Sequence, residues 1–143
     1  MPEPASIDVR RLVWVGPLTV FAAVVAVLAV RVAAVAVLEL PPPPDGFLPL
    51  GWFFPIFDTF VLVTAAVIVF AVVARFSSSP VRTYWWIALA VLALSMIPDV
   101  QIHNRRPDFF TWPRTLVLMA MHLVAWFVTV TLLEKLTCSK RAH

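Results

Sequence analysis

Hydrophobic residues fall along this chain in four long runs, which short polar segments separate. A helix needs about 20 mainly apolar residues to cross the hydrocarbon core of a bilayer. Three of the runs approach or exceed that length, and the third run is shorter, at about 16 residues. The pattern predicts an all-α integral membrane four-helix bundle. It forms one domain over residues 1–143, with spans at about residues 12–38, 57–74, 83–98 and 115–133.

Prolines and polar residues mark the connections between the predicted spans. Pro41 to Pro44 lack backbone donors and are expected to end the first helix. The aromatic segment at residues 45–57 predicts an interfacial loop, since rings such as Trp52 are favoured at the level of the headgroups. The first run is longer than the roughly 7–15 apolar residues of a signal peptide, so we expect it to be retained as a span.

The overall composition agrees with a membrane protein. Hydrophobic residues make up 62% of the chain and charged residues 13%, with a mean hydropathy of +0.93. A soluble domain averages about 45–50% apolar and about 25% charged residues. The net charge of +3 is small, and the basic residues lie mostly at the ends of the runs. We therefore expect the lipid bilayer as a partner and no nucleic acid.

The basic residues also predict the orientation in the membrane. One side of the predicted bundle carries seven of them: Arg10, Arg11, Arg75, Arg82, Lys135, Lys140 and Arg141. The other side carries three: Arg105, Arg106 and Arg114. Cytoplasmic segments are enriched in Lys and Arg, so both termini are expected in the cytoplasm. A chain rich in Ala, Val, Leu, Arg and Pro is typical of GC-rich bacterial genomes, which predicts a multi-pass protein of a bacterial cytoplasmic membrane.

Five polar residues are predicted to lie in the same, outer half of the membrane: Arg31, Asp58, Ser95, Asp99 and His122. Counted along helices, Arg31 lies about 28 Å into the first span, and His122 lies about 12 Å inward from Arg114. Asp58 opens the second span, and Asp99 ends the third. Polar groups inside spans are costly. The cluster therefore predicts either ion pairs of purely structural importance or an outward-facing polar pocket.

These depths predict two side-chain contacts. Arg31 is expected to pair with Asp58 or Asp99, because an unpaired Arg costs about 2.5–3.5 kcal/mol at the centre of a span. His122 is expected to point into the bundle and to form a hydrogen bond with another helix, with Ser95 as the first candidate. Separately, Ala22, Ala26, Ala29 and Ala33 lie on one face of the first helix and predict a close-packing ridge, since the chain has no GxxxG motif.

No motif for metal binding or catalysis is present in the sequence. The spacing of His103, His122, Asp58 and Asp99 matches no metal-ligand pattern. Cys138 is the single cysteine, so a CxxC site cannot form. Nucleophile elbows and glycine-rich phosphate loops are also missing. We therefore expect no cofactor, no metal and no catalytic residue.

Short motifs in the second half of the chain carry a family resemblance. They are Pro80, Arg82 and Thr83 before the third span, Ser95 and Pro98 at its end, and Met121 with His122 in the fourth. They lie in the stretches ARFSSSPVRTYWWIALAVLALS, SMIPDV and TLVLMAMHLVAW. This pattern resembles an uncharacterised family of small four-span bacterial membrane proteins, known only as a domain of unknown function. The resemblance implies the four-helix architecture and supplies no mechanism.

The sequence leaves three functional hypotheses. The leading one is a non-catalytic integral membrane accessory or interaction subunit that docks another membrane protein or its own copy, since no reaction motif occurs. The alternative is a small transporter or channel that uses the outward-facing polar cluster. A third is an intramembrane enzyme that uses His122 with Asp99.

Overall fold

The four predicted helices are present in a computed structural model, which describes residues 7–38, 51–105, 107–108 and 110–138. A short 3-10 helix (Val9–Arg11) leads into α1 (Leu12–Val37), α2 (Phe53–Phe76), α3 (Pro80–Arg105) and α4 (Trp112–Thr137). All four α-helices are long and apolar enough to cross a membrane. The predicted all-α membrane four-helix bundle is confirmed.

The helices extend beyond the apolar runs at several ends. α2 begins at Phe53, so the end of the aromatic segment that we predicted as a loop is helical. α3 continues past the predicted boundary at Pro98 as far as Arg105. Proline removes one backbone donor from a helix, but neighbouring groups in a membrane bundle can satisfy the freed carbonyl. The predicted helix stop at Pro41 to Pro44 and the rest of residues 39–50 lie outside the described residues.

The two ends of the described chain meet at one end of the bundle, which we call the terminal end. Ile7 pairs with Cys138 in an isolated antiparallel bridge. The backbone N–H of Asp8 donates to the carbonyl oxygen of Thr137 at 3.1 Å. Successive helices alternate in direction, so the α2–α3 turn also lies at the terminal end. The α3–α4 connection lies at the opposite end, the loop end.

The helices pack unevenly around the bundle. α1 has its most extensive contacts with α4 and then with α2, whereas α2 packs less on α3 and least on α4. At Gly16, α1 approaches α2 so closely that an added Cβ would lie 3.1 Å from Val67 Cγ1. The buried positions of α1 recur every three or four residues: Leu12, Val15, Gly16, Thr19, Ala23 and Val27.

The packing face of α1 is not the predicted alanine ridge. Ala29 and Ala33 are exposed, and Ala22 and Ala26 are only half-buried. The prediction was wrong because α1 is apolar on all sides, so small residues alone do not identify the side that contacts other helices. The buried face instead combines Gly16 with the larger side chains of Val15 and Val27.

Two clusters of buried side chains hold the bundle together. The core at the terminal end consists of Leu12, Val15, Phe70, Tyr84, Val130 and Leu133. The core at the loop end consists of Val27, Phe110, Val117, Leu118 and Met121. Because α2 packs least closely on α3 and α4, a cleft remains on that side of the bundle, between the two cores.

Candidate functional site

A lateral cleft runs between α2 and α3, with α4 as its floor. Near the loop end, the cleft contains a cavity of about 550 Å³, which we call the polar cavity. The α2 residues that line it recur at helical spacing: Pro55, Asp58, Thr59 and Leu62. The α3 and α4 residues do the same: Ser95, Asp99 and Ile102, and Leu118, Met121, His122 and Ala125. Each helix therefore turns one face towards the cavity.

Exposed residues of α2 form the rim of the polar cavity. Phe54, Asp58 and Leu62 line the cavity and are also exposed on the outside of the bundle. The cavity therefore opens sideways, between two helices that cross the membrane. A molecule dissolved in the bilayer can reach such an opening without passing through water.

An imidazole and a carboxylate meet on the floor of the polar cavity. His122 Nδ1 of α4 lies 3.3 Å from Asp99 Oδ2 of α3. Asp99 has a side chain that is only 9% exposed, whereas the His122 side chain is 30% exposed. His122 thus points into the bundle and contacts another helix.

The partner of His122 differs from the one that we predicted. Ser95 lines the same cavity, but its hydroxyl donates to the Leu92 carbonyl oxygen of its own helix at 2.8 Å. A serine side chain is short enough to bond to the preceding turn of its helix. Asp99, one turn further along α3, reaches across to His122 instead.

The hydrogen bond of the His122 ring leaves one Asp99 oxygen without a donor. His122 Nδ1 lies 2.9 Å from the Leu118 carbonyl oxygen and 3.3 Å from Asp99 Oδ2. Both neighbours are acceptors, so Nδ1 carries a hydrogen, and that single hydrogen points to the nearer Leu118. Asp99 Oδ2 is buried and has no hydrogen-bond partner among the described residues. Asp99, which lines the cavity, therefore carries a buried acceptor that lacks a donor in the described residues.

A second, apolar cavity continues the cleft towards the terminal end. Its volume is about 200 Å³, and it shares part of its wall with the polar cavity, including Ser95, His122 and Ala125. Tyr84 and Trp126 both line it, and their donor groups, Oη and Nε1, are buried without a hydrogen-bond partner in the described part of the chain. The two cavities together follow α3 through most of its length.

Arg31 lies apart from the other predicted cluster residues. Asp58, Ser95, Asp99 and His122 all line the polar cavity, whereas Arg31 is not among its lining residues. The Arg31 guanidinium carbon lies 4.0 Å from the centre of the Trp52 ring, a distance typical of a cation–π contact. The pairing of Arg31 with Asp58 or Asp99 stays a prediction, as does the functional role of the cluster.

His103 is a buried polar residue that lies beyond the predicted end of the third span. It lies in the last turns of α3, and its Nδ1 donates to the carbonyl oxygen of Phe110. Its ring centre lies 4.1 Å from that of Trp112 at the start of α4. His103 thereby fixes the α3–α4 connection. Its position one turn beyond Asp99 on the same helix face is the sequence signal that could have indicated burial.

The geometry shows neither a metal centre nor an activated nucleophile in the described residues. No group of three or more His, Cys, Asp and Glu side chains that could hold a metal ion occurs in that part of the chain. Ser95 lies in the same cavity as His122 and Asp99, but its hydroxyl hydrogen is directed at the Leu92 carbonyl oxygen. The site offers a buried hydrogen-bond acceptor on one carboxylate and a second carboxylate in the same cavity. Both favour the binding of a hydrogen-bond donor.

Comparisons with known proteins agree with the resemblance noted in the second half of the chain. A family model described as a family of unknown function (DUF6069) matches residues 7–137. Neither a curated protein nor a solved structure matches the chain. The match covers all four helices and the cleft between them, and the chain therefore belongs to the DUF6069 family.

Proposed function

We propose that this protein is a non-catalytic accessory component of the membrane that acts by binding another molecule in the cleft between α2 and α3. The observation that carries the proposal is Asp99, which lines a cavity of about 550 Å³ and whose buried Oδ2 has no hydrogen-bond donor among the described residues. An unsatisfied buried acceptor costs about 1–3 kcal/mol, and more when it is charged. A ligand that supplies the donor recovers this cost on binding.

The apolar outer faces of the helices support a membrane role but do not identify a partner. Phe21 of α1 and Phe127 of α4 are 69% and 62% exposed. Such side chains pack equally well against lipid tails and against a neighbouring membrane protein. The cleft is more specific, because its polar groups favour some occupants over others. The outer faces would dock another membrane protein or a second copy of this chain, and the cleft would bind the ligand that its polar groups favour.

Photo-crosslinking from the cleft tests the proposal. A benzoylphenylalanine at Leu62, which is 52% exposed and lines both cavities, is expected to give one discrete adduct in native membranes. The matched control is Val61, an exposed neighbour on the same helix. Mass spectrometry of the adducts identifies the occupant as a protein, a second copy or a lipid. The same mixture of bulk lipid adducts from both positions would contradict a binding role for the cleft.

The protein has both termini in the cytoplasm of a bacterial cell, and the polar cavity lies in the outer half of the membrane. The bias of seven basic residues against three supports this orientation. The terminal end holds the residues around Ile7 and Cys138, and the loop end holds the α3–α4 connection.

Cysteine labelling tests the orientation. Cys138 is the single cysteine, and burial, then the charge of Glu134, raise the pKa of its thiol. Labelling therefore needs mildly alkaline buffer, in which more thiolate is present. An impermeant maleimide is expected to label Cys138 only in inverted vesicles. Asp108→Cys, made together with Cys138→Ser, is expected to be labelled in intact cells. The reverse pattern would overturn the orientation.

Transport is the second candidate, and one observation favours it. The polar and apolar cavities adjoin at His122 and together follow most of α3. Against it, the cavity near the terminal end is lined almost wholly by apolar side chains, such as Ala65, Val69 and Val91, which do not replace the water around an ion. A solute flux into liposomes that disappears in Asp99→Asn would favour transport over binding alone.

A further inference from the structure

We propose that the occupant of the cleft is a membrane lipid that carries a primary ammonium headgroup and an ester-linked acyl chain. The headgroup binds in the polar cavity against Asp99 and Asp58, and the chain lies in the apolar cavity. This inference rests on the proposed function, because it names the class of ligand for the same cleft.

The chemistry of the polar cavity selects the headgroup. Asp99 Oδ2 is a buried acceptor without a donor in the part of the chain that the structure describes, and Asp58 places a second carboxylate on the rim of the same cavity. His122 Nδ1 is already directed to the Leu118 carbonyl oxygen. A primary ammonium supplies both a positive charge and three N–H donors. Hydrogen bonds between charged partners are about twice as strong as neutral ones.

The two carboxylates also exclude other headgroups. An anionic headgroup without an amine adds a like charge beside Asp58 and Asp99, which is unfavourable in a site of low dielectric. A trimethylated ammonium has the same charge as a primary ammonium but no N–H, so it leaves Asp99 Oδ2 unsatisfied. The site therefore distinguishes two lipids that differ only in the methylation of one nitrogen.

A second unsatisfied group matches the ester linkage. Trp126 lies one turn beyond His122 on α4, which is about 6 Å towards the terminal end. Trp126 lines the apolar cavity, and its indole Nε1 is buried without an acceptor in the described residues. An indole nitrogen can only donate, so the carbonyl oxygen of an ester just below the headgroup would satisfy it. Asp99 and Trp126 thus present an acceptor and a donor in the order in which this lipid needs them.

The length of the cleft suits a single lipid chain. Asp99 and Tyr84 are 15 residues apart on α3, which corresponds to about 22 Å along the helix. One leaflet of the hydrocarbon core is about 15 Å thick, half of the usual 30 Å. The cleft therefore accommodates a headgroup together with one acyl chain parallel to the membrane normal, and the exposed rim at Leu62 lets that chain enter sideways.

Lipid binding to the purified full chain tests the assignment. Phosphatidylethanolamine, phosphatidylcholine and phosphatidylglycerol with identical acyl chains are titrated in detergent, and bound lipid is measured by native mass spectrometry and thermal stabilisation. Phosphatidylethanolamine is expected to bind about tenfold more tightly than the other two, the factor that one charge-assisted hydrogen bond supports. Equal binding of phosphatidylethanolamine and phosphatidylcholine would overturn the assignment.

Two variants locate the bound lipid. Asp99→Asn is expected to reduce phosphatidylethanolamine binding to the level of phosphatidylcholine without changing the latter. Trp126→Phe is expected to weaken the ester lipid a few-fold but not its ether-linked analogue, which lacks the carbonyl. Phe60→Ala, on the exposed face of α2, serves as the control and should change neither affinity. If Asp99→Asn still binds phosphatidylethanolamine more tightly than phosphatidylcholine, the lipid headgroup does not bind at Asp99.

Crosslinking separates failure of this inference from failure of the proposed function. If the Leu62 probe captures a protein or another class of lipid, the cleft remains a binding site and only the lipid assignment is wrong. If Leu62 and Val61 give the same bulk adducts, both proposals are wrong. An ethanolamine lipid captured from Leu62 alone supports both.

Discussion

Replacing His122 with leucine is expected to destabilise the folded protein by about 1–3 kcal/mol, the usual cost of leaving a buried polar group without a polar partner. The substitution places an apolar side chain beside the buried Asp99 carboxylate, in place of the imidazole whose Nδ1 lies 3.3 Å from Asp99 Oδ2. The free energy of unfolding can be measured by denaturing titration in mixed micelles. His122→Gln is the milder control, because its amide can still donate to the Leu118 carbonyl oxygen.

The same argument predicts a much smaller effect for the other member of the pair. Asp99→Asn removes the buried charge, while His122 Nδ1 keeps its bond to Leu118 at 2.9 Å. The stability should therefore change by less than about 1 kcal/mol, even though the preference for phosphatidylethanolamine is lost. When Asp99→Asn is combined with His122→Leu, it should restore most of the stability that His122→Leu alone loses. A double variant no more stable than His122→Leu alone would show that the cost does not come from the carboxylate.

The second large effect is expected at Phe70, in the core at the terminal end. Phe70 is 1% exposed, and its ring meets the edge of Tyr84 with the ring centres 4.8 Å apart. Phe70→Ala leaves a cavity that the surrounding helices fill only in part, and substitutions of this kind cost about 3–5 kcal/mol. The loss should appear in the same unfolding assay.

Phe60 provides a matched control for Phe70. It is the same side chain on the same helix but is 54% exposed on the outer surface of the bundle. Lipid tails can fill the space that Phe60→Ala creates, so the expected change is within about 0.5 kcal/mol, as for most surface substitutions. Equal losses for the two alanine variants would mean that the outer face of α2 is buried against something that the isolated chain lacks.

The hydropathy of the chain predicts the four helices well but their ends poorly. A run of apolar residues marks the part of a helix that fits in lipid. The backbone hydrogen bonds of the helix can continue beyond that run, into more polar residues. α3 shows the difference, because it extends seven residues beyond Pro98. Among those residues, Asp99 approaches His122 of α4, and His103 bonds to Phe110 in the α3–α4 connection. These contacts depend on tertiary packing, which the local pattern does not contain.

The sequence predicts which residues line the candidate site, but it predicts only some of the contacts between their side chains. Depth along the helices brings Asp58, Ser95, Asp99 and His122 to one level, and all four line the polar cavity. Depth does not decide between Ser95 and Asp99 as the partner of His122, since both lie on the same face of α3. The choice depends on side-chain length and on the competing bond from Ser95 to Leu92.

The bridge between Ile7 and Cys138 makes the described chain nearly a closed ring, because its first and last residues lie side by side. In such a ring, the order of the helices along the sequence is separable from their arrangement in space. A chain that is opened at the exposed residues Ser78 and Ser79, with Ile7 and Cys138 joined by a short linker, would have the same neighbours around every helix. Circular permutants of this kind are tolerated where the ends are close together.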